Sequence, residues 1–304
     1  MTVSSWTADR VPDQTGAAVF ITGATGGIGF EAAKLLAAKG ARVLLGCRSR
    51  AKGEAAAARI RDTHAEADLD LVEMDLGILA SVRRAAERVA KEPRLDRLIN
   101  NAGILCPRRT LTADGFESQF GVNHLGHFAL TGHLLPKLLA TPGARVVTVS
   151  SLAHRSGRIA FDDLDASGHY GRMDRYAMSK LANLLFTYEL QRRLAASAAD
   201  TIAVACHPGV TPTDIGRNFP WWLMGLFMLA ISWRTHPPSS GALPTVRAAT
   251  DPEVAGGDYY GPSSRSEYAG PPVLVQSTAA SHDEEVAGRL WSVSEELTGV
   301  RYAL

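Results

Sequence analysis

Tyr176 and Lys180 are the two residues whose types and spacing most directly suggest chemistry in this chain. Residues four apart on a helix share one face, so the phenol and the ammonium would point in the same direction. A free tyrosine has a pKa of about 10, and a nearby ammonium lowers that pKa because it favours the phenolate. The same spacing occurs on ordinary solvated helix faces, so acid–base chemistry also requires a cofactor site and a pocket.

The elements that would position this pair are predicted to form an α/β domain with a doubly wound parallel sheet of the Rossmann type. An apolar run at 17–21 predicts a buried strand, and a glycine-rich turn and a helix follow it. Further strands are predicted at 42–47, 69–74, 94–99, 145–149 and 201–206. Helical patterns separate these strands, which predicts one parallel sheet whose ligands bind outside the carboxyl ends of the strands.

The glycine-rich turn has the strand–turn–helix context of a dinucleotide site. Gly23 would allow the tight turn, and Gly27 and Gly29 would let backbone amides at the helix N-terminus approach a pyrophosphate. The cofactor contacts predicted from this turn are Gly23, Thr25, Gly27, Ile28 and Gly29.

The end of the second strand favours NADP over NAD. An NAD site places an acidic residue about 20 residues beyond the glycines to hold the ribose 2′-hydroxyl. Here the sequence has Gly46, Cys47 and Arg48, without a carboxylate. A guanidinium suits a 2′-phosphate, although Arg48 could also be an ordinary solvated side chain.

The third, fourth and fifth strands end in further candidate site residues. An acid after the third strand could accept a hydrogen bond from an adenine amino group, and small residues after the fourth permit close backbone approach to a ligand. Two serines stand at the end of the fifth. These residues are Asp75 and Leu76, Asn101, Ala102 and Gly103, and Ser150 and Ser151.

Taken together, these motifs resemble the short-chain dehydrogenase/reductase family. Each motif is weak alone, but the set stands in the family's order over roughly 17–215, and it looks most similar to the branch of the retinol dehydrogenases, the WW-domain oxidoreductase and protochlorophyllide reductase. The matching pieces are the Thr22–Gly29 turn, Asn100–Gly103, Asn123, Ser150 and Ser151, Tyr176 with Lys180, and Pro208 and Gly209 with Thr213.

The resemblance implies a role for each matched residue. Tyr176 would be the general acid/base, and Ser151 would bind and orient the substrate oxygen, with Ser150 as the alternative serine. Lys180 would lower the pKa of Tyr176 and hold the nicotinamide ribose, while Asn123 would support a water that links Lys180 to solvent. Together with Tyr176 and Lys180, the cofactor would be held by the backbone at Val210 and the hydroxyl of Thr213. NADP would carry the hydride.

The segment 219–240 is predicted to be a substrate lid, because it is rich in Trp, Leu, Phe and Met and family members place a lid after the Pro-Gly turn. Its apolar run of about 12 residues, 221–232, would measure about 18 Å as a helix, against about 30 Å of hydrocarbon, so no transmembrane span is predicted. Core or dimer packing and a weak contact with a membrane surface are the alternatives. Residues 241–304 would then form a C-terminal extension.

The predicted function is hydride transfer between NADP(H) and a carbonyl or alcohol of a small apolar substrate, such as a retinoid, a steroid or a lipid aldehyde or ketone. Two alternatives share the same residues. One is an NADPH-dependent reductase of carbon–carbon double bonds, like the protochlorophyllide enzyme. The other is a catalytically silent NADP-binding regulator, which the complete Asn123, Ser151, Tyr176 and Lys180 set argues against.

Composition excludes some classes of function. Hydrophobic residues make up 46% of the chain and charged residues 21%, which is ordinary for an enzyme with a sizeable core. A net charge of +1 does not indicate the basic surface that is typical of nucleic-acid-binding proteins. The three cysteines form no Cys-x-x-Cys pair, which suits a reduced, cytoplasmic compartment. No metal site is expected, because His124 and His127 have no nearby third ligand.

Two expectations concern the outside of the domain. Residues 1–15 are polar and are expected to be a flexible arm rather than a secretory signal, with one domain over 16–304. The family resemblance implies a homo-oligomer, a dimer packed along the helices of Asn123 and Tyr176. Apolar side chains on several sides of the Tyr176 helix support that expectation, namely Leu181, Leu184, Leu185, Tyr188 and Leu190.

Overall fold

Eight strands form a single sheet in the order β3-β2-β1-β4-β5-β6-β7-β8 in the computed structural model, which describes residues 5–211 and 236–304. Strands β1 to β7 are parallel, and β8 runs antiparallel to β7 at one edge. The strands are Ala18–Thr22 (β1), Arg42–Cys47 (β2), Leu69–Glu73 (β3), Arg97–Asn100 (β4), Arg145–Val149 (β5), Ile202–Cys206 (β6), Tyr259–Pro262 (β7) and Pro272–Leu274 (β8).

Helices cover both faces of the sheet, which explains why its central strands are continuous apolar runs. The described α-helices are Gly27–Ala38 (α1), Arg50–Arg61 (α2), Leu79–Val89 (α3), Ser118–Phe120 (α4), Gly126–Leu139 (α5), Arg172–Ala196 (α6), Pro238–Gly241 (α7), Leu243–Thr250 (α8) and Glu284–Thr298 (α9). One core cluster joins α1, α2 and α8 to the sheet, and a second joins α3, α5, α6 and α9 to the opposite face. The predicted doubly wound Rossmann architecture is therefore confirmed.

The sheet order creates the crevice in which the site lies. Successive βα units place β1, β2 and β3 in one direction and β4, β5 and β6 in the other. The connections leaving β1 and β4 therefore diverge to opposite faces, and the carboxyl ends of these two neighbouring strands flank the gap. The predicted strand ends fall within a few residues of the observed ones, whereas β8 was not predicted.

The N-terminal segment differs from the expected flexible arm over its described part. The indole of Trp6 and the side chain of Val11 are buried in the cluster around α1 and α8. The backbone amide of Gln14 donates to the carbonyl oxygen of Lys39 at 2.8 Å. Burial of two apolar side chains favours this docked arrangement over a free arm.

The C-terminal helix α9 covers the helices on which dimer packing was predicted. Trp291 of α9 stacks on Phe186 of α6 and meets Phe128 of α5 edge-on, with ring centroids 5.9 and 5.2 Å apart. The apolar side chains proposed as a dimer surface are all buried within the chain, namely Leu181, Leu184, Leu185, Tyr188 and Leu190. The use of these side chains as evidence for a dimer surface is therefore wrong, and the homo-oligomer itself stays a prediction.

The predicted substrate lid lies largely outside the described residues, as does Thr213. Within 5–211 and 236–304, no helix is long and apolar enough to cross a membrane. After the gap, α7 begins at Pro238, where the proline ring suits the first turn of a helix.

Candidate active site

The glycine turn after β1 is shaped for close contact with the end of β4. Gly23 has a φ of 68°, and a Cβ at this position would lie 3.0 Å from the Cβ of Ala102. A Cβ on Gly29 would lie 2.5 Å from the carbonyl oxygen of Gly23. The N-terminus of α1, which follows this turn at Gly27, has no side-chain cap. The cradle therefore fits a pyrophosphate, which the amides of a helix N-terminus bind readily.

Thr22 holds the end of β4 against this turn, a role that sequence reasoning did not assign to it. Its Oγ1 accepts hydrogen bonds from the backbone amides of Asn101 and Ala102 at 2.9 and 3.0 Å. The side-chain amide of Asn101 donates to the carbonyl oxygen of Thr22 at 2.8 Å. The predicted cofactor residue Asn101 thus uses both its side chain and its backbone amide to join two strand ends.

Arg48 and Asp75, the two polar residues predicted to contact the adenosine part of the cofactor, follow β2 and β3. Arg48 is exposed directly after β2, and the carbonyl oxygen of Gly46 in β2 accepts a hydrogen bond from the amide of Ala24 in the turn at 3.1 Å. Asp75 is half-buried after β3 beside the buried Leu76, and its Oδ1 accepts from the amide of Gly77 at 2.8 Å. The strand that Arg48 follows is therefore bonded to the glycine turn, and one oxygen of Asp75 faces its own loop.

Tyr176 and Ser151 are brought together at the carboxyl end of β5. Burial raises the pKa of Tyr176 to about 12, and a hydrogen bond with the Ser151 side chain partly offsets that rise. The Ser150 hydroxyl instead donates to the carbonyl oxygen of Lys180 at 2.8 Å and is buried. Of the two adjacent serines, Ser151 is the one that faces the tyrosine.

Lys180 lies beneath the crevice with its ammonium close to the end of β4. Its Nζ donates to the carbonyl oxygen of Val149 at 3.1 Å and lies 5.7 Å from the centroid of the Tyr176 ring. Burial lowers the pKa of Lys180 to about 8. A Cβ on Gly103 would lie 3.2 Å from Nζ, so the glycine leaves the ammonium room to reach a ligand.

Asn123 lies in the π-helical turn Gly121–Leu125 that joins α4 to α5. Its Oδ1 accepts from the amide of Ile104 at 2.8 Å, and its Nδ2 donates to the Ile104 carbonyl oxygen at 3.0 Å and to Ser179 Oγ at 2.9 Å. The hydroxyl of Ser179 donates in turn to the carbonyl oxygen of Tyr176 at 2.8 Å. The Asn123 side chain thus ties the loop after β4 to the helix that carries Tyr176. The water that the family resemblance implies would have to bond to atoms other than the side-chain oxygen and nitrogen of Asn123.

His127 extends this network to the glycine turn. Its Nε2 lies 2.9 Å from Thr22 Oγ1, and its Nδ1 lies 3.0 Å from the carbonyl oxygen of Asn123. Because Thr22 Oγ1 accepts two amides, it donates its own proton to Nε2, and Nδ1 carries the ring proton. Burial lowers the pKa of His127 to about 4, so the ring is a neutral bridge. Sequence reasoning had considered this histidine only as a metal ligand.

No metal cluster is evident in the part of the chain that the structure describes, where no three His, Cys, Asp or Glu side chains come together. The other histidine considered, His124, packs against Phe120 and bonds to Ser294 Oγ at 2.9 Å. Burial lowers its pKa to about 3.

The backbone amide of Val210, a residue whose backbone is predicted to hold the cofactor, is engaged within the protein. Its N–H donates to the carbonyl oxygen of Tyr268 at 2.9 Å, because the loop between β7 and β8 folds over the turn at 207–210. Gly209 has a φ of 72°, and a Cβ on it would collide with the same carbonyl oxygen. The amide of Val210 is thus used in a loop–loop contact, and the cofactor contact of the Val210 backbone stays a prediction.

The segment 155–175, which separates Ser151 from Tyr176 in the sequence, packs on the rest of the domain. The buried guanidinium of Arg175 pairs with the carboxylate of Asp163. The hydroxyl of Tyr170 donates to the carbonyl oxygen of Cys106 at 2.8 Å, in the loop after β4. This segment runs up to Tyr176 in the sequence, and through Tyr170 it contacts the loop after β4.

A family model described as short chain dehydrogenase matches residues 17–222. The chain belongs to the short-chain dehydrogenase family. It is accordingly an oxidoreductase that acts on CH–OH or C=O groups with a nicotinamide cofactor.

Curated relatives place the chain in the retinol dehydrogenase-like branch. It is 42% identical to mouse retinol dehydrogenase 14 over 302 residues, which covers 94% of this chain and 86% of that protein. It is 40% identical to human retinol dehydrogenase 12 over 295 residues, which covers 94% of this chain and 88% of that protein.

Solved structures share the fold of this chain. An uncharacterized protein from Mycobacterium paratuberculosis superposes with a TM-score of 0.83 at 40% identity, covering 99% of this chain and 100% of that one. A short chain dehydrogenase from Burkholderia cenocepacia, solved in complex with NADP, superposes with a TM-score of 0.64 at 25% identity, covering 81% and 96%.

Proposed function

We propose that this short-chain dehydrogenase transfers a hydride between NADP(H) and a carbonyl or alcohol of a small apolar substrate. The observation that carries the proposal is the grouping of Tyr176, Ser151 and Lys180 at the carboxyl end of β5, beside the glycine turn. An acid–base phenol, a polar partner for the reacting oxygen and a cation near the cofactor crevice are the groups that carbonyl reduction needs.

Each residue has a part in the proposed reaction. A bound nicotinamide supplies or accepts the hydride. Tyr176 Oη donates the proton to the carbonyl oxygen in reduction or receives it from the alcohol in oxidation, and the Ser151 hydroxyl orients that oxygen. Lys180 donates to the ribose hydroxyls, and Asn123 keeps the loop after β4 in register with α6.

Arg48 supports NADP as the preferred cofactor. It is exposed after β2, where a site for NAD would place a carboxylate to bind the 2′-hydroxyl. A guanidinium instead pairs with a 2′-phosphate through charged hydrogen bonds. The Burkholderia relative with bound NADP is consistent with this choice.

An apolar substrate is supported by the names of the relatives and by the composition of the segment predicted to be the lid. Curated relatives at about 40% identity are retinol dehydrogenases. The lid prediction, 219–240, rests on sequence alone. We propose a retinoid, steroid or lipid aldehyde or ketone as the substrate class.

The proposal is tested with a panel of retinal, steroid ketones, long-chain aldehydes and conjugated enones, in which loss of NADPH absorbance is followed. We expect turnover of at least one apolar carbonyl, and loss of at least about 100-fold in kcat in Tyr176→Phe, since proton transfer contributes that much. NADPH affinity should stay within about threefold in this variant, because the hydroxyl is not a main cofactor contact.

The other outcomes identify the alternatives. Reduction of the enone double bond with retention of its carbonyl would indicate a double-bond reductase. NADPH binding without turnover of any compound would indicate a cofactor-binding regulator. Turnover by Tyr176→Phe at more than a few per cent of the wild-type rate would place the proton donor elsewhere.

We also propose that the protein works in the cytoplasm as a homo-oligomer, with no nucleic-acid partner and at most weak contact with membrane surfaces. Because α9 covers α5 and α6, self-association would use another face or require α9 to move. Light scattering at micromolar concentration decides this point, and the mass of a single chain would contradict the homo-oligomer.

A further inference from the structure

His207 is held so firmly that it cannot serve as an acid or a base for a substrate. Its ring is fully buried beside Gly261, where a side chain would collide with the imidazole. Its Nδ1 accepts from the amide of Gly209 at 3.2 Å, so the ring proton is on Nε2. That nitrogen donates to Glu267 Oε2 at 3.0 Å, which uses both nitrogens inside the protein.

Glu267 joins this histidine to a second segment. Its Oε1 accepts from the guanidinium of Arg155 at 2.6 Å, while Oε2 accepts from His207. Its φ of 56° lies in the left-handed region, which a residue other than glycine adopts at a cost. Such a conformation persists when the surroundings hold it, and here both carboxylate oxygens and the neighbouring Tyr268 carbonyl are engaged.

The two segments that Glu267 connects both belong to the active site. Arg155 lies in the short 3₁₀ helix Leu152–Ser156, whose first turn is capped by the Ser151 hydroxyl through the amide of Ala153 at 3.2 Å. His207 begins the turn 207–210, which follows β6 and leads towards the predicted Thr213 contact. The loop 263–271, which joins β7 and β8, therefore contacts the serine segment and the Pro208–Gly209 turn at once.

We propose that Glu267 is a positioning residue that sets the spacing between Ser151 and the turn 207–210, which leads towards the predicted cofactor contact at Thr213. It acts through Arg155 on one side and through His207 on the other. This inference rests on the proposed function, since it assigns Glu267 to the alignment of substrate oxygen and cofactor. A small misplacement of reacting groups is enough to slow a reaction strongly.

The decisive variant is Glu267→Gln, which keeps the shape of the side chain but replaces one carboxylate oxygen with an NH₂ group. At one of the two contacts the new NH₂ group would then face another donor, because both Arg155 and His207 Nε2 donate to this side chain. We expect NADPH to bind more weakly and kcat to fall, with a loss of about tenfold in kcat/KM. Arg155→Gln, by contrast, should lower kcat and leave the dissociation constant of NADPH unchanged.

Glu295→Gln is the matched control. Glu295 is also a largely buried glutamate paired with an arginine, with Oε2 2.9 Å from Arg301, but it lies at the end of α9 away from the crevice. Its substitution makes the same chemical change in a carboxylate of similar exposure, so it controls for the loss of charge, and it should leave NADPH binding and kcat within about twofold. Kinetic constants of Glu267→Gln that match those of this control would overturn the proposal.

Hydrogen exchange gives a readout that does not depend on activity. In Glu267→Gln we expect faster amide exchange at both 152–157 and 207–211, while Glu295→Gln changes neither. Faster exchange at one segment alone, or at neither, would overturn the proposal even if NADPH binds. Failure of the wild type to bind NADPH would instead overturn the proposed function, and with it the catalytic meaning of the contact.

Discussion

Tyr176 and Lys180 are both buried, and burial shifts their pKa values in opposite directions. The uncharged phenol is favoured, so the pKa of Tyr176 rises to about 12, and the uncharged amine is favoured, so the pKa of Lys180 falls to about 8. The sequence argument that the ammonium lowers the pKa of the tyrosine therefore meets a larger opposing effect. A phenol that stays protonated at neutral pH suits proton donation in carbonyl reduction.

The affinity for NADPH should fall as the pH rises through about 8, because Lys180 then loses the proton with which it would bind the ribose hydroxyls. Fluorescence titration of NADPH over a pH series measures this effect in the absence of substrate. Lys180→Ala should bind NADPH more weakly and without this decline, whereas Tyr176→Phe should retain it. The same decline in Lys180→Ala would assign it to another group.

At the scale of elements, α9 acts as an internal partner for α5 and α6. Trp291 lies in an aromatic cluster with Phe128, Phe186 and Tyr302, and the Tyr302 hydroxyl donates to the Phe128 carbonyl oxygen at 2.6 Å. Aromatic pairs in such geometry contribute beyond the area they bury. The helix therefore stabilises the two helices that carry the Asn123 turn and Tyr176.

Trp291→Ala should lower the free energy of unfolding by about 3–5 kcal/mol, because it leaves a cavity between α5, α6 and α9. Denaturant unfolding measures this loss. Trp291→Phe should cost clearly less, since it keeps an aromatic ring in the cluster. A loss below about 1 kcal/mol in the alanine variant would mean that the surrounding side chains close the space or that α9 is only loosely docked.

At the scale of the molecule, the cofactor crevice joins parts of the chain that are far apart in sequence. The glycine turn after β1, Arg48 after β2, Gly103 after β4 and Lys180 in α6 meet at one edge of the sheet. A ligand that contacts all of them binds the folded state and not the unfolded chain, so it stabilises the whole domain.

Because the guanidinium of Arg48 suits the 2′-phosphate that NADH lacks, NADPH should raise the melting temperature more than NADH does at the same concentration. A concentration of 100 times the dissociation constant corresponds to about 2.7 kcal/mol of stabilisation. Arg48→Ala should reduce the effect of NADPH and leave that of NADH unchanged, and its own cost should be small because Arg48 is exposed. Equal stabilisation by both cofactors in the wild type would remove the argument for NADP.

The strand–helix order, the glycine turn and the shared face of Tyr176 and Lys180 could all be predicted from the amino-acid sequence. These features depend on local patterns, since burial on both faces of a parallel sheet produces apolar runs and a tight turn requires glycine. Because ligands bind at the carboxyl ends of strands in such sheets, these patterns also place the candidate residues at one edge of the sheet.

Which polar groups around that edge are already hydrogen-bonded within the protein could not be predicted, because it depends on how distant segments pack. Ser150 is bonded to the Lys180 carbonyl oxygen, the Val210 amide to Tyr268, and the apolar faces of α6 are covered inside the chain. Glu267 meets partners 60 and 112 positions away in sequence. No periodicity records such contacts, because the direction of a hydroxyl or a carboxylate depends on which distant loop packs against it and not on its neighbours in the chain.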